Sequence, residues 1–172
     1  MRYIVYSFLA LFIFIGCKKE NHGSKVDIYL LDSFTIGTNP APSGSGPFST
    51  TISNAVLAST PLVADRDIKF YTRSSSAFKL RNSIKTIIQN YGPDKAFAVT
   101  VDGEPVYYGK FHPAYLSSMT VGLATIDPIL LFANDNELPI QFINLTGTLI
   151  AQDDKRNDPR IINALRETGR LR

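Results

Sequence analysis

The chain has 172 residues, 44% of them hydrophobic, with 18 Lys and Arg against 15 Asp and Glu and a formal net charge of +3. That near balance excludes the concentrated basic face that nucleic-acid binding requires. The length suits one domain of ordinary size that can bury a real core, and no internal repeat or coiled-coil heptad runs through it.

Arg2 is the only charge before Lys18. From Tyr3 to Ile15 the chain is apolar apart from Ser7 and the tyrosine hydroxyls, and Phe14-Ile15-Gly16-Cys17 leads into Lys18-Lys19-Glu20. A basic start, a short apolar run and a small residue before the cut describe a secretory signal peptide. The run falls short of the roughly 20 residues of a spanning helix. The alternative is an N-terminal membrane anchor with an incidental cysteine.

Cys17, the single cysteine of the chain, resembles the acylated cysteine of the bacterial lipobox. The resemblance implies a lipoprotein signal peptide over residues 1–16, a lipidated tether over 17–25 and a single domain over 26–172. Cys17 would carry acyl chains such as palmitate, and two or more chains anchor stably because each buried methylene contributes about 0.8 kcal/mol. The expected address is the bacterial cell envelope, on a membrane facing the periplasm or the cell surface. With Cys17 acylated, no thiol remains for a disulfide, a redox centre or a metal. Removing residues 1–16 takes away only Arg2, leaving 17 basic side chains (18 less one) against 15 acidic ones. Lys18-Lys19-Glu20 lacks the aspartate that signals inner-membrane retention in enterobacteria, and its order is similar to a surface-export signal of Bacteroidetes lipoproteins.

Val26-Asp27-Ile28-Tyr29-Leu30-Leu31 alternates and is rich in strand formers, which predicts the first strand. Residues 37–51 collect Gly37, Asn39, Pro40, Pro42, Gly44, Gly46 and Pro47, and read as a loop long enough to be a lid or a plain surface insertion. Ile52 to Leu62 is compatible with a short helix or an extended segment. Asp67 to Tyr71 and Ala77 to Leu80 predict strands around the turn Ser74-Ser75-Ser76. Asn82 or Ser83 can cap a helix whose Ile84, Ile87, Ile88 and Tyr91 make one apolar stripe, ending at Gly92-Pro93.

Ala96 to Val101 is the clearest strand, and Asp102-Gly103 before Val106-Tyr107-Tyr108-Gly109-Lys110-Phe111 signals a tight hairpin. Val121 to Ile126, Leu138 to Ile143 and Thr146 to Ile150 read as further strands, with a turn at Asn134-Asp135-Asn136. Asn157-Asp158-Pro159 starts a terminal helix, Ile161, Ile162 and Leu165 are its apolar stripe, and Gly169 stops it. Leu171 can dock on the domain.

Two resemblances follow. Phe97-Ala98-Val99-Thr100-Val101-Asp102-Gly103-Glu104-Pro105-Val106, after an apolar-striped helix, resembles the first periplasmic head subdomain of the SecD export family across Asp67 to Ile126. The transmembrane helices of that family are absent, so no translocation motor is implied. Nearly the whole mature chain is similar to a group of small Bacteroidetes lipoproteins, through Asp27 to Leu31, Ala98 to Tyr107 and Asp154 to Ile161. That likeness implies an address and no activity.

Chemistry-bearing constellations are few. His22 and His112 stand far apart without acidic partners at ligand spacing, so no metal and no cofactor is expected. Nucleophile-elbow, phosphate-loop and dinucleotide fingerprints are missing, which leaves no catalytic residue to name. Asp102 and Glu104 could act as an acid and base pair, or serve only as turn residues. Tyr107, Tyr108, Phe111 and Tyr115 are the candidate interaction surface for an envelope protein or glycan, or else packing. Alternation places Tyr107 and Tyr108 on opposite faces. The run Asp153 to Asp158 is either a solvated linker or a lock for the terminal helix, with Arg156 and Arg160 reaching Asp153 or Asp158.

The expectation is therefore an α+β fold with a mostly antiparallel sheet, one packed helix and a short C-terminal helix. The expected role is a non-enzymatic, membrane-anchored binding or interaction module. The alternative is an accessory of protein export or envelope assembly, as the SecD likeness implies.

Overall fold

The computed structural model describes residues 23–39, 49–129, 135–143 and 154–172. Cys17, His22, the signal peptide, most of the tether, residues 40–48 and the expected strand at Thr146 to Ile150 lie outside them. The described chain is rich in sheet, mostly antiparallel, with few helices.

The long strands β1 (Val26–Asn39) and β2 (Ser49–Val63) pair antiparallel along their lengths, from Ile28 opposite Val63 to Asn39 opposite Ser49. Residues 37–39 and 49–51 are thus strand, not the loop expected there. Thr50, Thr51 and Ile52 are β-branched and extend the ladder into a stretch whose glycine and proline content favours irregular structure. For Ile52 to Leu62 the extended alternative is realised. Four register shifts break the β1–β2 ladder, and such irregularities bend and twist a ribbon.

A 3-10 turn at Asp65–Asp67 leads to β3 (Ile68–Thr72), which pairs with β4 (Ala77–Leu80) across a turn where Ser76 has φ 50°. The helix expected over residues 82–91 is a single turn, α1 (Lys85–Ile88). Ile84, Thr86, Ile87 and Ile88 are β-branched and propagate a helix weakly. Ile88 is buried and Ile87 is exposed, so the stripe splits. Ser83 Oγ accepts from Lys85 N at 3.2 Å, but Ile84 holds the cap position.

Strands β5 (Ala96–Val101) and β6 (Glu104–Phe111) form the expected hairpin. Asp102 (φ 53°) and Gly103 (φ 85°) take the paired left-handed conformations of a primed turn. Strand β7 (Ala124–Ile126) pairs parallel to β6, the one parallel pair between the named strands. The expected strand from Leu138 to Ile143 divides at Ile140. Its first part, β8 (Glu137–Pro139), pairs with β4, and its second, β9 (Gln141–Phe142), pairs with β7. A strand that switches sheets at a bend is a known way to make a corner. The result is a six-stranded sheet ordered β2-β1-β5-β6-β7-β9 and a three-stranded sheet ordered β3-β4-β8.

Helix α2 (Pro159–Glu167) starts with Asp158, whose carboxylate accepts from Arg160 N at 3.0 Å, and with Pro159 in its first turn. Gly169 (φ 68°) ends it, with Gly169 N donating to Arg166 O and Arg170 N to Leu165 O. That pair of bonds is a Schellman closure. The last residues then run beside β3, where Tyr71 N donates to Arg170 O and Arg172 N to Tyr71 O, both at 2.8 Å.

One apolar cluster joins both sheets and α2, through Phe97, Val99, Phe111, Phe78, Ile161 and Leu165 among others. A second, smaller cluster lies on the opposite face of β5, where Ala96 and Ala98 meet Leu31 and Tyr108 under Phe34, Ile52 and Leu57. Gly109 pairs with Phe97, and a side chain there would collide with the Phe97 ring and come within 2.6 Å of Ala124 O. The glycine is therefore what lets that ring lie flat across β6.

Candidate functional site

The start of β2 is tied back onto the sheet. Thr50 N donates to Val121 O at 2.8 Å, so the start of β2 meets the segment just before β7. The six-stranded sheet thereby curls until its β2 edge meets the segment that leads into β7. The space left inside this curl is a cavity of about 260 Å³. Its wall is drawn from β2 (Ser49 to Ile52), β6 (Tyr107, Tyr108), residues 122–124, Phe142, Lys155 and Arg156.

Tyr107 is 8% exposed, and its hydroxyl is buried without a hydrogen-bond partner among the described residues. A buried hydroxyl without a partner costs about 1–3 kcal/mol, and such groups are rare enough to call for a reason. Burial pushes the Tyr107 pKa well above its ordinary value, reinforced by the neighbouring Tyr71. The group therefore stays protonated, as a hydrogen-bond donor. Burial likewise raises the Tyr71 hydroxyl, which donates to Arg156 O at 2.9 Å.

Arg156 is the best-anchored charge of the cavity wall. Its Nε donates to Asp154 Oδ1 at 2.8 Å and its Nη2 to Asp154 Oδ2 at 2.7 Å, a bidentate pair. Its Nη1 donates to Ile140 O at 2.8 Å, and the guanidinium lies 5.6 Å from the centre of the Phe142 ring. Burial alone would raise the Asp154 carboxyl, but the side-chain and backbone hydrogen bonds from Arg156 outweigh it and hold the pKa below the usual value. The hydrogen bond to Asp154 raises Arg156 in turn. This pair ties the segment before α2 to the Ile140 corner between the sheets. Arg156 thus meets Asp154. Arg160 meets Asp158 at 3.1 Å, as the sequence allowed, while Asp153 lies outside the described residues.

The four aromatic residues expected to make one surface are not brought together as one. Tyr107 and Phe111 are buried in the main cluster, and Phe111 packs edge-on against Tyr91 at 5.0 Å. Tyr108 is half-buried on the opposite face and lines the cavity. Only Tyr115 stands free, 70% exposed, in the segment between β6 and β7 near the exposed Met119. A register shift between Val99 opposite Tyr107 and Thr100 opposite Pro105 leaves Val106 as the extra residue of β6 and sets which residues of that strand face the core.

Asp102 accepts from Lys25 N at 2.8 Å, and this backbone bond, with a side-chain bond from Ser24, lowers its pKa. It pins the start of the domain to the hairpin turn. His112 is held at both ring nitrogens, Nε2 at 2.8 Å from Ser118 O and Nδ1 at 3.2 Å from Thr120 Oγ1. Because a carbonyl only accepts, Nε2 is the donor to Ser118 O. Among the described residues, no cluster of three or more His, Cys, Asp or Glu could hold a metal, and no helix is long and apolar enough to cross a membrane.

The cavity has no signature in the sequence. Ser49 to Ile52, Leu123 and Phe142 carry no motif, and they meet only through the curl of the ribbon. No family model, no curated protein and no solved structure matches this chain.

Proposed function

We propose that this chain is a cell-envelope lipoprotein held to its membrane through acyl chains on Cys17. Its domain is a non-enzymatic binding module, with the ligand site in the cavity beneath the β1–β2 ribbon. The domain is α+β on this reading, with α2 as its packed helix and Lys85–Ile88 a lone turn.

The observation that carries the binding role is a concave cavity of about 260 Å³ beneath the ribbon, walled by the hydroxyl residues Ser49, Thr50 and Thr51, the apolar Ile52 and Leu123, and Arg156. A concave site with a few convergent polar groups is the usual form of a ligand pocket. Two of the ionisable residues named there, Arg156 and Tyr107, are unsuited to acid–base work. Arg156 is locked to Asp154, and Tyr107 is driven away from deprotonation. The Asp-Gly hairpin of β5 and β6 favours the second reading, an export accessory, and recovery of translocon components with the chain would select it.

The test is metabolic labelling with palmitate, followed by native mass spectrometry of the full chain extracted in detergent. The wild type is expected to carry label and a small-molecule adduct. Cys17→Ala is expected to lose the label and the membrane retention. Undiminished labelling of that variant would remove the anchor, and a wild-type chain always at its bare lipidated mass would remove the binding module.

A further inference from the structure

We propose that the tether does not hang free. Residues 18–22 dock in a groove between the β5–β6 turn and α2, with the ammonium groups of Lys18 and Lys19 on the carboxylates of Glu104 and Glu167. This rests on the anchor reading, and it seats that end of the domain close to the membrane that holds Cys17.

The groove has a volume of about 460 Å³, within the roughly 300–1,000 Å³ of pockets that take drug-sized ligands. Val101 and Ala164 give its lining an apolar part, and Glu104 and Glu167 line it as exposed side chains.

The path of the chain leads there. Lys25 N donates to Asp102 Oδ1 at 2.8 Å, which fixes the end of the tether at the hairpin turn. Ser24 lines the groove. Gly23 lies against the end of α2, so close that a Cβ there would come within 2.9 Å of Thr168 Cγ2 and 4.0 Å of Glu167 Cβ. Residues 23–25 thus cross from the helix end to the turn. Lys19 lies four residues before Gly23, so at about 3.3–3.6 Å per residue it stays within about 14 Å of that point. The stretch of α2 from Arg160 to Glu167 is only about 10 Å long at 1.5 Å per residue. The groove is therefore within reach of both lysines.

Charge favours this occupant. Arg160, a cation of the lining, is already held by Asp158 at 3.1 Å. Glu104 and Glu167 form no ion pair among the described residues. The tether brings Lys18 and Lys19 as a consecutive pair. Each such contact at a surface is weak, but a short linker holds its charges at millimolar effective concentration, so the two act together. Undocked, residues 18–24 would let the domain stand off by about 13–16 Å, as a coil of that length does.

The experiment is double electron–electron resonance on the full chain in a neutral detergent. Spin labels are placed at Asn21→Cys in the tether and Lys69→Cys, an exposed position of β3. Each variant is first checked for a cooperative thermal transition, and its intact mass reports the acyl chains on Cys17. The parent chain is expected to give one narrow distance distribution. Glu104→Gln with Glu167→Gln, and separately Lys18→Gln with Lys19→Gln, are expected to broaden it about twofold or more, toward the spread of a free coil. Salt at about 1 M, where the Debye length falls to about 3 Å, should do the same. Exchanging the charges, with Lys18→Glu and Lys19→Glu against Glu104→Lys and Glu167→Lys, is expected to restore the narrow distribution.

A broad distribution in the parent chain, or a narrow one that survives both neutralised pairs, would overturn the docking. An acylated Cys17 with a broad distribution removes the docking alone and leaves the anchor standing. A bare Cys17, which takes a third spin label, removes the anchor, and the same distances in the Cys17→Ala background then decide the docking by itself.

Discussion

The two faces of β5 are built from the same six residues and end in different states. Phe97 and Val99 point into the main cluster, where Phe111, Phe78 and α2 close around them, while Ala96 and Ala98 are as fully buried on the other side. Ala96 and Ala98 point the other way, toward a thin layer of partly buried side chains on the curled β1–β2 ribbon. Large rings on one face fill a core. Small residues on the other let a ribbon roll over the sheet, and the curl leaves a cavity at its far end. The same strand thus serves stability on one side and access on the other.

That contrast can be broken by truncating each face. Phe97→Ala is expected to cost about 3–5 kcal/mol in urea unfolding, the usual loss for a buried ring. Leu57→Ala, on the ribbon side, is expected to cost only about 1–2 kcal/mol, because less apolar area leaves water on folding. Equal losses would mean that the ribbon face is a second core and not a cover.

Arg156→Ala comes next. It leaves Asp154 without its bidentate partner at a site where the side chains are only 20% and 26% exposed. The expected loss is about 1–3 kcal/mol, discounted from a fully buried pair. The Asp154 pKa is held below its ordinary value, so the pair stabilises the fold above the unfolded pKa near about 3.9. That contribution is lost as pH falls through the lower folded value. Stability measured from pH 7 to pH 2 should therefore fall less steeply in the variant.

Tyr107→Phe has the opposite sign. Removing a buried hydroxyl without a partner is expected to stabilise the unliganded chain by about 1 kcal/mol, a rise in Tm of about 2–4 °C for a domain of this size. Folded Tyr107 and Tyr71 both have raised pKa values. Their contribution is whole below the unfolded value of about 10 and is lost as pH rises through the folded ones. Alkaline unfolding should accordingly shift upward in Tyr107→Phe, with Tyr71 left to supply the rest. Tyr115→Ala is the smallest change. A 70% exposed side chain is expected to move stability by less than about 0.5 kcal/mol.

Local signals were legible where one segment decides the outcome. The Asp102-Gly103 turn, the Asp158 cap with Pro159, and the Gly169 stop were all readable, because each depends on the conformational range of one or two residues. The alternation of β5 was readable too. The length of β1 and β2 was not, because pairing with a distant partner overrode the glycine and proline content near the tip. The division of residues 138–143 at Ile140 was hidden for a similar reason, since a continuous apolar run does not say which sheet will claim each half. The aromatic run on β6 carried no sign that Phe111 would be fully enclosed. The cavity is the extreme case: its wall comes from five separated stretches, and only the curl of the ribbon, closed by Thr50 on Val121, brings them together.

The most direct test is a high-resolution crystal structure of the full chain purified from its host without refolding. The account predicts density for a small molecule in the cavity. An empty cavity, or one collapsed shut, would contradict it.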